Sequence, residues 1–471
     1  MTNRTIAAIA TPLGPGGIGI IRISGPEAYG ILQRLFVRQK KEKEGANRSH
    51  PASNCLLQSH RVYYGHIIEP GTASIIDEVL AIYMKGPKSY TREDVVEIHS
   101  HSGFVVLDRI LSAVVDAGAG ISRPGEFSKR AFLNGRIDLT QAEGIIDLIN
   151  APGETAARMA SQHLAGGARD AVQNIIDKLN ALQAKCEAGI EFFENSDDQK
   201  IVFEVSENVR KQILPFLSSL IQRQKESAIF REGLHLAIAG SPNVGKSSLL
   251  NRLVQREAAI VSEWPGTTRD VVREYISING VPIIVCDTAG IRESKDPVEC
   301  IGIERARDQI MHADIVLLVL DGSRALNNYE ESLLDEIYSC KNIVVVNKAD
   351  VINERVAEAL EKRIEKHSWI RVSAKNGTHI DKLKALIFKD IVHEGKSGSG
   401  PVLTPNLRQR KILEKARAEL NVLIDKDTHS QSIDIVSDGL KTVSKTLQEI
   451  SGAKGKEDLY DHIFSQFCVG K

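Results

Sequence analysis

The chain has 471 residues, and its 60 lysines and arginines against 61 aspartates and glutamates give a formal net charge of −1. This balance excludes a strongly basic nucleic-acid-binding protein, so any RNA contact must use a local patch or a partner. No apolar run approaches the roughly 18 residues of a membrane span, and the six cysteines are scattered. We therefore expect a cytoplasmic protein of several domains, with free thiols and no membrane association.

The first segment, residues 1–135, is predicted to be an α+β domain. Residues 105–117 carry apolar side chains at helical spacing and predict a helix, whereas the polar stretch 39–54 predicts a loop. Short runs rich in β-branched residues predict strands at 18–23, 62–66, 79–83 and 95–98.

Residues 136–230 and 393–471 are predicted to form one helical domain. In 171–186 the apolar residues follow the i, i+3, i+4, i+7 pattern of an amphipathic helix, and 208–224 repeats it. Residues 231–392 instead alternate helical segments with apolar runs that end in polar motifs, which is typical of a parallel α/β sheet. We expect a Ras-like P-loop α/β domain inserted into the helical domain.

A phosphate-binding loop is predicted at 240–248, where GSPNVGKSS matches the pattern GxxxxGK[ST] between a strand-like and a helix-like run. Its backbone N–H groups and the helix N-terminus would hold phosphate oxygens. Lys246 would reach the β- and γ-phosphates as a catalytic residue, and the Ser247 hydroxyl would bind Mg²⁺. The predicted GTP-binding residues here are Asn243, Val244, Gly245, Lys246, Ser247 and Ser248.

Four further motifs, in the order typical of GTPases, predict guanine specificity. Asp287 could hold the metal through water and the Gly290 amide could sense the γ-phosphate, while Thr268 could complete Mg²⁺ coordination. Asp350 can accept hydrogen bonds from the guanine ring and amino N–H groups, which adenine cannot reproduce, and 373–375 would support the base. The predicted contacts are Gly266, Thr267, Thr268, Asp287, Thr288, Ala289, Gly290, Asn347, Lys348, Asp350, Ser373, Ala374 and Lys375.

The position after DTAG is unusual for a GTPase. Many GTPases have a glutamine there that orients the attacking water, but this chain has Ile291. An aliphatic side chain cannot do this, so water positioning and charge neutralisation must come from elsewhere.

Three segments outside the GTPase motifs carry a resemblance to a known family. They are ATPLGPGGIGIIRISG at 10–25, RPGEFS at 123–128 with AFLN at 131–134, and FCVGK at 467–471. A generic P-loop protein needs none of them. Over residues 5–471 the chain resembles the MnmE (TrmE) family of tRNA-modification GTPases, in the TrmE-Era-EngA type of GTPase.

The resemblance implies a homodimer, joined through its N-terminal domains, whose GTPase domains meet transiently and are activated by potassium. The K⁺ would supply the positive charge that an arginine finger gives in other GTPases. Glu299 would orient the attacking water through a second water; the alternative is a solvated surface acid. The residues implied around K⁺ are Asn243, Ser262, Trp264 and Thr267. The loop residues Ser262, Glu263, Trp264 and Pro265 are also predicted GTP contacts.

The N-terminal domain is similar to folate-dependent aminomethyltransferases, which implies that it binds 5-formyltetrahydrofolate as one-carbon donor. A carboxylate such as Glu97 can bind pterin N–H groups in a bidentate manner, and cations suit the glutamyl tail. Residues 102–103 read Ser-Gly where the family more often has Gly-Gly. The positions that match the folate pocket are Arg22, Glu97, Arg136 and Lys471.

Two alternatives remain in this region. Cys468 lies in the tail that the family shares, where it could assist chemistry near the folate or pack as a small buried side chain. Glu97, His99 and His101 would share one face of a strand and could form a metal set, although the family needs no metal there.

The family reaction places a carboxymethylaminomethyl or aminomethyl group on C5 of uridine 34 in certain tRNAs. ATPLGPGGIG lacks the following helix and distal acid of a flavin fingerprint, so the resemblance implies a heterotetramer with a flavin-dependent partner, MnmG (GidA). GTP hydrolysis would drive a conformational cycle. The alternatives are a ribosome-assembly GTPase, which predicts a basic appendage, and a stand-alone folate enzyme with a regulatory GTPase domain.

Overall fold

The computed structural model describes residues 4–14, 16–38, 56–192, 198–254, 274–278, 281–286, 313–352, 354–392, 404–425, 432–453 and 457–471. The packing of the chain defines two units. The first consists of residues 1–146, 163–207 and 418–471, and the second of 147–162 and 208–417. The predicted loop at 39–54 and the linker at 395–401 lie outside the described residues.

The N-terminal part of the chain alternates short strands with helices. Its elements are β1 (Ile6–Ile9), β2 (Gly19–Ser24), α1 (Ala28–Leu35), β3 (Phe36–Arg38), β4 (Val62–Ile68), β5 (Ile75–Met84), β6 (Val95–Ser100), α2 (Phe104–Asp116), β7 (Gly120–Ile121) and α3 (Glu126–Leu133). The strands and the helix predicted for this part are confirmed, each within a few residues of its predicted bounds.

The strands of this part form one sheet in the order β3-β4-β5-β6-β2-β1-β7. Neighbours run antiparallel except β1 and β7. In β4, Tyr63 and Ile67 are buried whereas Val62 and Tyr64 are exposed, which is the alternation of a sheet covered on one face. Helices α1 and α2 supply the cover with fully buried Ile31, Leu32, Leu107 and Ile110.

A helical stretch follows, as predicted. Its elements are α4 (Leu139–Ile149), α5 (Glu154–Leu164), α6 (Gly167–Phe192), α7 (Asp198–Asn208), a π-helical turn at Val209–Ile213 and α8 (Leu214–Glu232). The helices predicted at 171–186 and 208–224 are therefore confirmed.

The segment after α8 is the predicted α/β domain. Its elements are β8 (Leu234–Ala239), α9 (Lys246–Val254), β9 (Glu274–Ile278), β10 (Val281–Cys286), β11 (Ile315–Asp321), α10 (Asn328–Glu336), a 3₁₀ turn at Ile337–Ser339, β12 (Asn342–Asn347), α11 (Glu354–Ile364), β13 (Ser368–Arg371) and α12 (Ile380–Val392). Its sheet has the order β13-β12-β11-β8-β10-β9, parallel except for the edge strand β9.

Both faces of this second sheet are covered by helices. Every residue of β11 is buried, which is how a central parallel strand differs from a strand with one exposed face. Leu249 of α9 and Leu383 of α12 lie in the core on one face. Leu333 of α10 and Leu360 of α11 lie in the core on the other. The polar motifs consequently follow the carboxyl ends of the strands, where ligands bind in such folds.

From residue 404 onward, the described ranges contain three helices: α13 (Leu407–Asp425), α14 (Ile433–Gln448) and α15 (Glu457–Ser465). In the first unit, α14 packs against α6, and Ser444 Oγ donates to Asn180 Oδ1 at 3.0 Å. A Cβ on Gly189 would lie 2.7 Å from side-chain atoms of both Ile201 and Ile433, so the absence of a side chain permits this close approach.

Helix α15 packs against α3 in the first unit. Phe464 and Phe467 are buried in a core with Ala131 and Leu139, and Lys129 Nζ forms an ion pair with Asp461 Oδ1. The predicted fold class is confirmed: an N-terminal α+β part, a helical part and a P-loop α/β part. Among the helices that the structure describes, none is long and apolar enough to cross a membrane.

Candidate functional site

The loop between β8 and α9 has the backbone of a phosphate-binding loop. Gly240 has φ +141°, and a Cβ there would lie 2.3 Å from the Val319 carbonyl oxygen. Gly245 has φ +96°, and a Cβ there would lie 2.2 Å from Asn347 Nδ2. Only glycine fits at these two positions, and a loop folded this tightly collects N–H groups for an anion.

The Lys246 side chain folds back over this loop. Its Nζ donates to the carbonyl oxygens of Gly240 at 2.7 Å and Ser241 at 2.8 Å, and burial lowers the pKa of Lys246. Ser247 is exposed in the first turn of α9, where its hydroxyl oxygen is accessible to a cation. The Lys246 ammonium group and the N-terminus of α9 suit a bound phosphate, and the Ser247 hydroxyl suits a divalent metal ion beside that phosphate.

Asn347, at the end of β12, joins the phosphate loop to the motif after β13. Its Nδ2 donates to the Val244 carbonyl at 2.8 Å, and its Oδ1 accepts from the Ala374 N–H at 3.0 Å. The two ends of one buried amide therefore hold the two loops at a fixed separation.

Asp350 is exposed three residues further on and accepts a hydrogen bond from Ser373 Oγ at 2.6 Å. This bond is the main reason that the pKa of Asp350 lies below its usual value. The carboxylate is thus ionised and accessible, as recognition of the guanine N–H groups requires.

Several predicted site residues lie outside the part of the chain that the structure describes. These are Ser262, Glu263, Trp264, Pro265, Gly266, Thr267, Thr268, Asp287, Thr288, Ala289, Gly290 and Glu299. Their assigned roles in binding Mg²⁺, K⁺ and the attacking water stay predictions.

Sequence reasoning missed two residues beside the nucleotide site. Asp321 ends β11 and accepts from Lys348 Nζ at 2.6 Å. Asn327 donates from Nδ2 to Ser241 Oγ in the phosphate loop at 3.1 Å. The available signal for Asp321 was its place: like Asn347, it is the last residue of a buried strand.

A second candidate site lies on the sheet of the first unit. Arg22 on β2 is directly opposite Glu97 on β6, and its Nε donates to Glu97 Oε1 at 2.9 Å. Its Nη1 donates to the Gly470 carbonyl at 3.0 Å. The structure therefore brings two predicted folate residues together with the C-terminal tail.

Tyr90, which sequence reasoning missed, connects Arg136 to this group. The guanidinium of Arg136 lies 4.8 Å and that of Arg22 5.6 Å from the Tyr90 ring centroid. The Tyr90 hydroxyl is 2.8 Å from Ser128 Oγ. An open depression of about 540 Å³ at this point is lined by Met84, Pro87, Lys88, Ser89, Tyr90, Arg92 and Arg136.

The C-terminal tail at 467–471 turns tightly within the first unit. The Cys468 carbonyl accepts from the Gly125 and Lys471 N–H groups at 3.4 and 3.3 Å. Gly470 has φ +91°, and a Cβ there would lie 2.3 Å from the Ile9 carbonyl oxygen. The Cys468 side chain is exposed, so packing as a buried side chain is not its role.

The alternative of a metal set at Glu97, His99 and His101 is wrong. His99 Nε2 lies 3.4 Å from Glu97 Oε2, but His101 turns to Asp77, whose carboxylate raises the pKa of His101. Across the described ranges, no group of three histidine, cysteine, aspartate or glutamate side chains is arranged to hold a metal ion.

The fold and the first site define a P-loop nucleotide-binding protein of the GTPase class. A family model for the GTP-binding protein TrmE N-terminus matches residues 5–136, and one for the MnmE helical domain matches residues 139–468. The tRNA modification GTPase MnmE of Acetivibrio thermocellus is 39% identical over 467 residues, 99% of each chain. That of Desulforamulus reducens is 40% identical over 472 residues, 100% of each chain.

The chain belongs to the tRNA modification GTPase MnmE family. Two predictions are thereby confirmed: that the chain belongs to this family, and that it is an enzyme acting as a GTPase in tRNA modification.

Proposed function

We propose that this GTPase, with a flavin-dependent partner of the MnmG (GidA) kind, adds a carboxymethylaminomethyl or aminomethyl group to C5 of wobble uridine 34 in certain tRNAs. The observation that carries the GTPase part is the Asn347 bridge between the phosphate loop and Ala374, beside an accessible Asp350 carboxylate. The tRNA part is supported by relatives named tRNA modification GTPase MnmE.

In the nucleotide site, Lys246 would move from the loop carbonyls to the β- and γ-phosphates of GTP. Ser247 would hold Mg²⁺ with Thr268, and Asn243, Ser262, Trp264 and Thr267 would surround K⁺. Ser247 and Asn243 are both exposed, and their oxygen atoms are the ligand type that such hard cations prefer. The cations would supply positive charge to the phosphoryl group, and Glu299 would orient the attacking water.

Potassium activation can be tested separately from nucleotide binding. GTP turnover should be much faster in KCl than in NaCl at equal ionic strength, while the Kd for GDP should be similar in both salts. Equal turnover in the two salts contradicts the role of K⁺ and leaves the GTPase assignment intact.

In the first unit, we propose that 5-formyltetrahydrofolate binds at the depression beside Tyr90. Lys88, Arg92 and Arg136 line it, and these cations suit the glutamyl carboxylates, while the aromatic ring offers a face to the pterin or benzoyl group. Arg22, Glu97 and Lys471 would complete the site beside it.

Calorimetric titration with 5-formyltetrahydrofolate tests this assignment. Arg136→Ala should raise the Kd at least tenfold because it removes a cation that stacks on Tyr90. Arg38→Ala is the matched control, since Arg38 stacks on Tyr63 at 5.0 Å from its ring centroid and does not line the depression. Equal Kd values for the two variants contradict this binding site.

We propose that the chain is a homodimer and that its outer sheet face takes part. Val62, Tyr64 and Leu80 are 59%, 45% and 41% exposed, and Tyr64 is directly opposite Leu80 on the neighbouring strand. An apolar patch of this kind is typical of an interface. Sedimentation should show that Leu80→Asp shifts the protein toward monomer; an unchanged dimer contradicts the use of this face.

The tRNA assignment is tested by mass spectrometry of nucleosides from total tRNA of cells with and without the gene. The 5-carboxymethylaminomethyl uridines should be lost and then restored by the wild-type gene, but not by Lys246→Ala. If they are unchanged in the deletion, the tRNA assignment fails, and ribosome profiles then test the alternative of a ribosome-assembly GTPase. Unchanged uridines together with folate-dependent one-carbon transfer that needs neither tRNA nor a flavoprotein would instead favour the stand-alone folate enzyme with a regulatory GTPase domain.

A further inference from the structure

The segment from Asp321 to Glu330 contacts both the loop predicted to recognise the guanine base and the phosphate-binding loop. Asp321 is 7% exposed, and its Oδ2 accepts from Lys348 Nζ at 2.6 Å. Its Oδ1 accepts from the N–H and the hydroxyl of Ser323 at 3.0 and 2.6 Å. Both oxygens of a buried carboxylate are thus engaged, and one of them holds a lysine of the guanine motif.

Lys348 needs such a restraint because of its backbone. It has φ +65°, a left-handed conformation that costs a non-glycine residue energy, and it lies between Asn347 and Asp350 in the base-recognition loop. The Gly322 N–H also donates to the Asn347 carbonyl at 2.9 Å. The end of β11 therefore holds both the backbone of this loop, at Asn347, and the charged side chain of Lys348.

The same segment reaches the phosphate loop. Glu330 is 1% exposed and pairs with Arg324 through two bonds of 2.7 and 3.0 Å. Glu330 also forms a capping box with Asn327 at the start of α10. Asn327 in turn donates to Ser241 Oγ at 3.1 Å, so the segment contacts the site at its base end and at its phosphate end.

We propose that Asp321 is a positioning residue for guanine nucleotide binding, because it fixes Lys348 in the loop that carries Asn347 and Asp350. The inference rests on the proposed GTP site and adds to it a residue that contacts no nucleotide itself. The bond is charge-assisted and its carboxylate is buried, although the Lys348 side chain is 35% exposed, and a charged acceptor in such surroundings makes a strong hydrogen bond.

The test is a double-mutant cycle in the full chain, read out as the Kd for fluorescent GDP. Asp321→Asn keeps the size of the side chain but removes its charge, and should raise the Kd about tenfold. In a Lys348→Met background the same change should have less than a twofold effect, because the partner is already gone. Asp314→Asn is the matched control, because Asp314 precedes the same strand at its amino end, where its Oδ2 accepts from the His235 N–H at 2.8 Å and makes no contact with Lys348.

Four outcomes are informative. An unchanged Kd in Asp321→Asn, or an equal tenfold loss in the Lys348→Met background, overturns the proposal. If Asp321→Asn does not fold, Ser323→Ala, which removes one bond to the same carboxylate, should raise the Kd about threefold and should also have no effect in the Lys348→Met background. A wild-type chain that binds no GDP would instead overturn the proposed nucleotide site itself.

Discussion

Replacing Gly125 by alanine should detach the C-terminal tail. Gly125 precedes α3 with φ +66°, and a Cβ there would lie 2.1 Å from the Phe464 carbonyl oxygen and 3.0 Å from Phe467 Cβ. The first distance is about 1.3 Å short of ordinary van der Waals contact, and backbone cannot rotate away as a flexible side chain can. The tail must therefore move.

The cost has two parts. Left-handed backbone costs alanine about 1–2 kcal/mol, of which the reduced freedom of the unfolded chain offsets about 0.4–1 kcal/mol. Moving the tail also exposes part of Phe464 and Phe467, which are 2% and 5% exposed, and burial of each ring stabilises by about 1.5–3 kcal/mol. We expect the tail to lose about 3–5 kcal/mol of protection against local opening.

Gly135→Ala is the matched control for backbone conformation. Gly135 has φ +68°, but the nearest atom to its added Cβ is Arg92 Nη1 at 3.5 Å, an ordinary contact. This variant should cost only about 1 kcal/mol. Hydrogen exchange followed by mass spectrometry over 457–471 should therefore be about 30- to 1000-fold faster in Gly125→Ala than in Gly135→Ala. Equal exchange in the two variants would refute the steric argument.

Two further predictions concern titrating groups. Ser373→Ala should make GDP binding more sensitive to acid: the Ser373 hydroxyl keeps the pKa of Asp350 low, so without it the carboxylate protonates and binding is lost at a higher pH. The Kd for GDP measured from pH 4 to pH 7 checks this, and coincident profiles for variant and wild type contradict it. In native protein at pH 8, iodoacetamide should alkylate exposed Cys468 at least tenfold faster than Cys186, because burial raises the pKa of Cys186 to about 11. Equal rates, read by peptide mass spectrometry, would show that Cys186 is accessible.

The nucleotide site was predictable because its motifs are local. Each follows a strand of the same sheet, and parallel strands bring their carboxyl ends to one edge of that sheet. The motifs at 240–248, 347–350 and 373–375 were therefore expected on the same side. The contact of Asp321 with Lys348 was not predictable, because its position at the end of a strand does not show which side chain of the neighbouring loop it meets. Only the fold shows that Lys348 lies within 2.6 Å of it.

The candidate site on the first unit could be predicted only through the family resemblance, and its role in folate binding stays a prediction. Arg22 and Gly470 lie 448 residues apart in sequence, and Arg22 donates a hydrogen bond to the Gly470 backbone carbonyl. No sequence pattern marks a backbone carbonyl as a partner for an arginine. The guanidinium groups of Arg22 and Arg136 lie over the Tyr90 ring, although the segment around Tyr90 shows no strand-like or helical spacing of apolar residues. Contacts of this kind depend on how distant elements pack, and local spacing carries no information about that packing.

Helix α3 explains why these distant parts of the candidate site lie together. Gly125, just before its first turn, receives the tail, and Ser128 in the first turn holds Tyr90. Arg130 in the second turn binds Glu93, in the same loop as Tyr90, at 3.0 Å. The tail delivers the Gly470 carbonyl to Arg22, and Tyr90 presents its ring to the same guanidinium. A shift of α3 would consequently disturb Arg22 from both sides at once, so the RPGEFS segment contributes to the site by position, without lining the depression itself.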